Sequence, residues 1–270
     1  MSNAPSVPAA LSIEGLPTAD ARASFDLAAA SGYQGIAFAT NHPELNPDAL
    51  GASARRHVKT ILSTKHLGID SVRAAAPRGG LADAATIDRT LDQARKAMLL
   101  ARELGVRTVS LNVGRLPDER GSGGGIPEST LVAAVRELAQ HADASGLTLA
   151  LSADELEPLT RILKAVDFDR ARIDFDTARS LGAGGDVLLD LDRAAGRIGQ
   201  LTAADAIRAG RNLRAAALGE GQLPLQELVE RLREQDFTGP WVVSVRDLPD
   251  AAGGAARAAE IMRRYLSSLK

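Results

Sequence analysis

Short apolar runs bounded by turn residues alternate along this chain with longer stretches in which apolar positions recur every three or four residues. The first pattern fits buried strands and the second fits amphipathic helices. The strand-like runs are ALSIE (10–14), GIAFA (35–39), IDSVRAA (69–75), RTVSLNV (107–113), LTLALS (147–152), ARIDFD (171–176), RIGQLT (197–202) and WVVSV (241–245). Between them the periodicity predicts helices over 18–31, 47–66, 83–104, 127–145, 154–166, 187–195, 224–235 and 251–269, with Thr18 as the first N-cap. Gly32, Gly68, Gly105, Gly146 and Gly239 each stand just before a strand, where a positive φ closes the preceding helix.

Eight strand runs alternating with eight helices over 270 residues predict an α/β fold, a (β/α)8 barrel forming one domain over 1–270, with 1–8 as a flexible N-terminus. A doubly wound open sheet is the competing architecture. It would carry its ligand at a switch point, and no GxGxxG follows the first run.

Composition narrows the classes. Aromatic residues make up 3% of the chain, so the core must be built from Leu, Val, Ile and Ala, and base-stacking surfaces are not expected. A net charge of −2 gives no basic field for nucleic acid. With no cysteine there are no disulfides, thiolate nucleophiles or thiolate metal sites, which fits the cytoplasm. The first residues, MSNAPSVPAALSIEG, lack the basic and long apolar regions of a secretory signal. No apolar run reaches membrane-spanning length. A soluble intracellular protein is the expectation.

In such a barrel, chemistry sits at the C-terminal ends of the strands. The positions there are Glu14, Ala39 to His42, Arg73, Asn112, Ser152, Asp176, Thr202, Ser244 and Arg246. A charged side chain at a strand end must meet water, a ligand or a counter-ion. Arg73 and Arg246 therefore read as cavity residues or as partners of Asp176, Asp205 or Asp247. Asp176 closes the sixth run, and Arg179 follows three residues later as its candidate counter-ion. SADE, Ser152 to Glu155, has capping-box spacing. Arg208, Arg211 and Arg214 recur every third residue and read as a solvated helix face, with a cationic stripe for an anion as the alternative. GSGGGIP (121–127) lacks the Lys-Ser/Thr of a P-loop and reads as a surface loop. Of the four histidines, His57, His66 and His141 fall on predicted helices. Only His42 lies on a loop that can overhang the barrel mouth.

The ordered set SGYQGIAF, LTLALS, IDFDTARSLGAGGD, RIGQLTAAD and LGEGQLPLQELVERLREQDFTGPWVVSV resembles the xylose isomerase-like sugar phosphate isomerase/epimerase barrels over nearly the whole chain. LGEG, Leu218 to Gly221, is the most specific piece. The resemblance implies a divalent metal held by Glu, Asp, His and Glu on strands five to eight, with the two Glu residues moving a proton between adjacent carbons. Carried over, strand five offers Ser152, strand six Asp176, strand seven Thr202 and strand eight Ser244. Only Asp176 keeps its ligand type. Arg179 stands where the family often has His, Ala37 where a Glu is common, and Asp205 matches.

The expectation is a sugar phosphate isomerase/epimerase-like barrel without the standard metal site and without a cofactor. A metal held by Asp176 with Asp205 or Glu14 is the alternative. The substrate-binding candidates are His42, Arg73, Asn112, Asp176, Arg179, Asp205 and Arg246, facing a small sugar-like or anionic ligand. Neither nucleic acid nor membrane is an expected partner. The competing function is a non-catalytic barrel repurposed to bind a metabolite or a protein.

Overall fold

Each strand-like run pairs in parallel with its neighbours, because helices cover the outer face of every strand. The computed structural model describes residues 7–116, 125–210 and 212–266. Strands β1 (Val7–Ser12), β2 (Tyr33–Ala39), β3 (Gly68–Ala74), β4 (Thr108–Asn112), β5 (Thr148–Ser152), β6 (Ala171–Asp176) and β7 (Ile198–Ala203) are seven staves of a closed barrel. A two-stranded antiparallel hairpin follows, β8 (Asp205–Ala209) and β9 (Asn212–Ala216), and β10 (Trp241–Val243) is the eighth stave. The ring order is β1-β10-β7-β6-β5-β4-β3-β2, a (β/α)8 TIM barrel in one domain.

The helices are α1 (Ala21–Ser31), α2 (Ala52–Thr64), α3 (Ile87–Leu104), α4 (Glu128–Ala144), α5 (Leu156–Val166), α6 (Thr177–Ala183), α7 (Val187–Arg193), α8 (Leu225–Glu234) and α9 (Ala251–Leu266). Among the described residues, no helix is long and apolar enough to cross a membrane.

The apolar residues divide into two clusters, and that division positions the site. Ile36, Phe38, Val72, Leu111, Leu151, Phe175 and Leu201 point outward and join the helices in the main core. Inside the barrel, Ala10, Ala37 and Val242 are the only apolar cluster among the described residues. Bulky branched residues fill the interior of most such barrels. Here much of that space belongs to buried polar residues, Ser12, Ser71, Ser110, Asp174, Gln200 and Thr202.

Several local expectations change. Asp20, not Thr18, caps α1: its Oδ1 accepts from the Arg22 and Ala23 amides at 2.8 and 3.2 Å. Ser152 is the last residue of β5 and caps nothing; α5 begins at Leu156 after Glu155. A strand that ends at 152 leaves the SADE stretch to make the turn. The arginine-spaced segment is the β8–β9 hairpin rather than a helix. Arg208 reaches back from it to the Leu181 and Gly182 carbonyls and fastens it to α6, while Arg214 lies on β9. Arg211 and Gly121–Gly124 lie outside the described residues. Gly32, Gly105 and Gly146 adopt positive φ, but before β3 and β10 that conformation belongs to His66 (φ 56°) and Asp236 (φ 51°) instead of Gly68 and Gly239.

Candidate functional site

Three charged side chains meet at the C-terminal mouth. Glu14 stands two residues past β1, Arg73 near the end of β3, and Arg246 three residues past β10. Arg73 Nη2 lies 3.0 Å from Glu14 Oε2, and Arg246 Nη1 lies 3.4 Å from Glu14 Oε1. Arg246 also approaches Asp247, at 3.7 Å. Glu14 is therefore the carboxylate the two arginines share. Asp247 on Arg246 and Asp174 beside Arg73 bring the local charges close to balance, so what the cluster offers a ligand is guanidinium N–H donors held in place rather than a net positive field.

Below this cluster the lumen carries a linked polar network. Thr202 Oγ1 donates to Asp174 Oδ1 at 2.7 Å, and Gln200 Nε2 donates to Thr202 Oγ1 at 3.3 Å. Burial raises the Asp174 pKa to about 6, and the Asp176 carboxylate adds to the rise; the Thr202 hydrogen bond, Arg73 and Gln200 oppose it. Asp174 shares its chamber with Arg73, Glu14, Thr202 and Ser244. Sequence reasoning stopped at Asp176 and missed this residue. The signal was available: residues i and i+2 of a strand share a face, so an inward Asp176 implies an inward Asp174.

The remaining candidates have more local roles. Asp176 caps α6, its Oδ1 accepting from the Ala178 and Arg179 amides at 3.1 and 3.2 Å. Arg179 bridges two acids, with Nη1 2.6 Å from Asp154 and Nε 3.4 Å from Asp176 Oδ2. The second contact is an ion pair by distance only, because the buried Nε–H forms no hydrogen bond. Asn112 Oδ1 accepts from the Gly114 amide at 3.0 Å and shapes the turn after β4. Asp205 is buried and accepts from four backbone amides, those of Ala206, Gly219, Gly221 and Leu223, at 2.8–3.0 Å. It anchors the loop after β9 and does not join the mouth cluster. His42 and Glu14 line a shelf of about 430 Å³ between the loops after β1 and β2. His42 Nδ1 accepts from the Glu44 amide at 3.2 Å, while its Nε2 is buried without a partner. Burial lowers the His42 pKa, against the pull of Glu44.

A family model described as "Xylose isomerase-like TIM barrel" matches residues 25–265. The chain belongs to the xylose isomerase-like TIM-barrel family. Solved structures agree in fold. A xylose isomerase-like TIM barrel protein from Mycobacterium smegmatis, in complex with magnesium, superposes with a TM-score of 0.79 at 17% identity, covering 97% of each chain. D-psicose 3-epimerase from Clostridium cellulolyticum H10, solved with D-tagatose, gives 0.73 at 16% identity over 95% of this chain and 99% of its own. An L-ribulose 3-epimerase gives 0.76 at 18% identity over 98% and 95%. No curated protein matches the sequence.

Within this xylose isomerase-like barrel, the positions carried over from the family fall into different surroundings. Thr202 and Ser244 line the lumen chamber beside Arg73. Ser152 is buried at the end of β5. Asp176 is engaged by its own helix and by Arg179. Among the described residues, no group of three or more His, Asp or Glu side chains stands together as metal ligands.

Proposed function

We propose that this protein is a cytoplasmic, sugar phosphate isomerase/epimerase-like barrel that binds a small sugar-like or anionic ligand at its mouth and works without the family's standard divalent metal. The observation that carries this reading is the Arg73–Glu14–Arg246 cluster standing over Asp174. The donors at the family's ligand positions do not fit a divalent ion. Serine and threonine hydroxyls are weak ligands, the Thr202 proton is given to Asp174, and Asp176 is shared between a helix cap and Arg179.

The chain's own groups suit proton exchange beside a carbonyl. A carboxyl that titrates near 6 works close to neutral pH as acid and base. As a base, Asp174 would take the proton from the carbon next to a ketose carbonyl. The C–H electron pair moves toward the carbonyl oxygen, and the oxyanion that develops is stabilised by Arg73. Returning the proton to carbon restores the carboxylate, so the exchange is redox-neutral. Neighbouring structures include a ketose epimerase solved with D-tagatose, which supports a polyhydroxylated ligand.

A second reading rests on positions 152 and 244. With serine at both, the family's pair of proton-moving carboxylates is not reproduced, which favours a barrel that binds a metabolite or a protein without turnover.

Proton NMR in D2O with D-tagatose, D-psicose and L-ribulose separates the readings. Exchange of the proton beside the carbonyl should persist in EDTA, and Arg73→Met should slow it by about 100-fold, the usual cost of removing one oxyanion donor. Binding without exchange supports the second reading. Loss of exchange in EDTA, or stoichiometric tightly bound Mn, Zn or Mg by elemental analysis, sinks the metal-free reading.

A further inference from the structure

We infer that the lumen below the mouth is a subsite for one hydroxyl group of the ligand, received between Ser71 on β3 and Gln200 on β7; this rests on the sugar-like ligand proposed above. Ser71 is 1% exposed and Gln200 3% exposed. Yet Ser71 Oγ and Gln200 Oε1 are both buried without a hydrogen-bond partner. Leaving such an atom unpaired costs at least what a typical hydrogen bond contributes. β3 and β7 stand four places apart in a ring of eight, on opposite walls. A third group between them satisfies both atoms.

The chamber they line defines that group. It offers about 20 Å³ to the centre of a water-sized group. That is room for a hydroxyl together with the carbon that bears it, and too little for a sugar ring; the Asp174 carboxyl on the wall turns away a phosphate. The free atoms call for a group that both donates and accepts. Gln200 Oε1 only accepts, and Ser71 can do either. The amide orientation is determined by its neighbours. The Thr202 hydroxyl has one proton, given to Asp174, so only the Nε2 side of Gln200 can face the Thr202 oxygen. Oε1 is thereby left for the chamber. An anion would meet that oxygen and Asp174, a cation would meet Arg73 above, and an apolar group would leave both polar atoms unpaired. A hydroxyl meets none of these objections. The chamber adjoins Glu14 and Arg73, so the hydroxyl enters from the mouth as one end of a ligand held there.

Sites that hydrogen-bond a hydroxyl discriminate strongly against analogues that lack it. Calorimetry with D-tagatose, D-psicose, L-ribulose and their terminal deoxy analogues tests this. One deoxy analogue of each ketose that binds should be at least about tenfold weaker on the natural protein, and Ser71→Ala should erase most of that difference. The ligand-free Ser71→Ala protein should be about as stable as the natural one, because the water that pairs with Ser71 keeps Gln200 as a partner and only one water-mediated contact is lost. A purely structural Ser71 would show the opposite, lower stability with unchanged discrimination. High-resolution crystal structures give the second reading: one ordered water between Ser71 and Gln200 without ligand, replaced by a sugar oxygen in the complex. A sugar bound at the mouth with that water still in place overturns the subsite and leaves the mouth reading standing. If none of the three ketoses binds, the mouth reading falls and the subsite with it.

Discussion

Asp174→Asn should stabilise the protein by about 3 kcal/mol at about pH 8 while abolishing proton exchange. The Asp174 pKa rises from 3.8 to about 6 on folding, chiefly through burial. The folded protein therefore holds this proton more tightly than the unfolded chain. The stability associated with it is complete below 3.8 and is lost as pH rises through 6. Above that the fold keeps a buried carboxylate it would be more stable without. Roughly two pKa units correspond to about 3 kcal/mol. Asparagine keeps the shape: its oxygen can still accept from Thr202, and its nitrogen carries no charge to bury. Urea denaturation at about pH 8 and about pH 4 should show the variant ahead at the higher pH and the two proteins converging at the lower. A variant less stable at both would show that the Asp174 charge is well compensated. A gain in stability with loss of exchange is the trade-off expected when a fold tolerates strain at a working residue.

The eight staves were legible in the sequence because a parallel strand covered on both faces reads as a short apolar run. β6 was predicted over 171–176 and lies at Ala171–Asp176. What the pattern missed were short elements set by single polar contacts. α6 has seven residues, contains Gly182, and starts directly after β6 because Asp176 caps it. The hairpin carries arginines at a spacing that suits a helix face equally well, and only its pairing distinguishes the two. The mouth arginines could be read from strand-end positions alone. Arg246 does approach Asp247, one of the partners expected for it, but the sharing of Glu14 by both arginines could not be read, because β1 and β10 become neighbours only when the barrel closes. The unpaired atoms of Ser71 and Gln200 were invisible for the same reason, since the chamber both residues line exists only in the closed ring.

Asp205→Ala should cost about 4 kcal/mol and be among the most damaging single substitutions of a polar residue in the protein. Sequence reasoning had grouped Asp205 with the substrate-binding candidates, since it matches the family at the end of the strand-seven motif. Its surroundings point to a different duty. Oδ1 accepts from the Ala206 and Leu223 amides at 2.8 and 2.9 Å, and Oδ2 from Gly219 and Gly221 at 3.0 and 2.9 Å. Alanine would strand four donors at once, two of them, the Ala206 and Leu223 amides, fully buried. The carboxylate approaches so closely that a Cβ on Gly221 would stand 2.1 Å from Oδ1. The specific LGEG stretch thus owes its last glycine to this aspartate. Asp205→Asn should fall between, because an amide keeps one accepting oxygen and turns an NH2 toward two donors. Denaturation midpoints order the three proteins. If Asp205→Ala instead loses less than about 1 kcal/mol of stability while ligand affinity collapses, Asp205 is a site residue and the anchoring role is wrong.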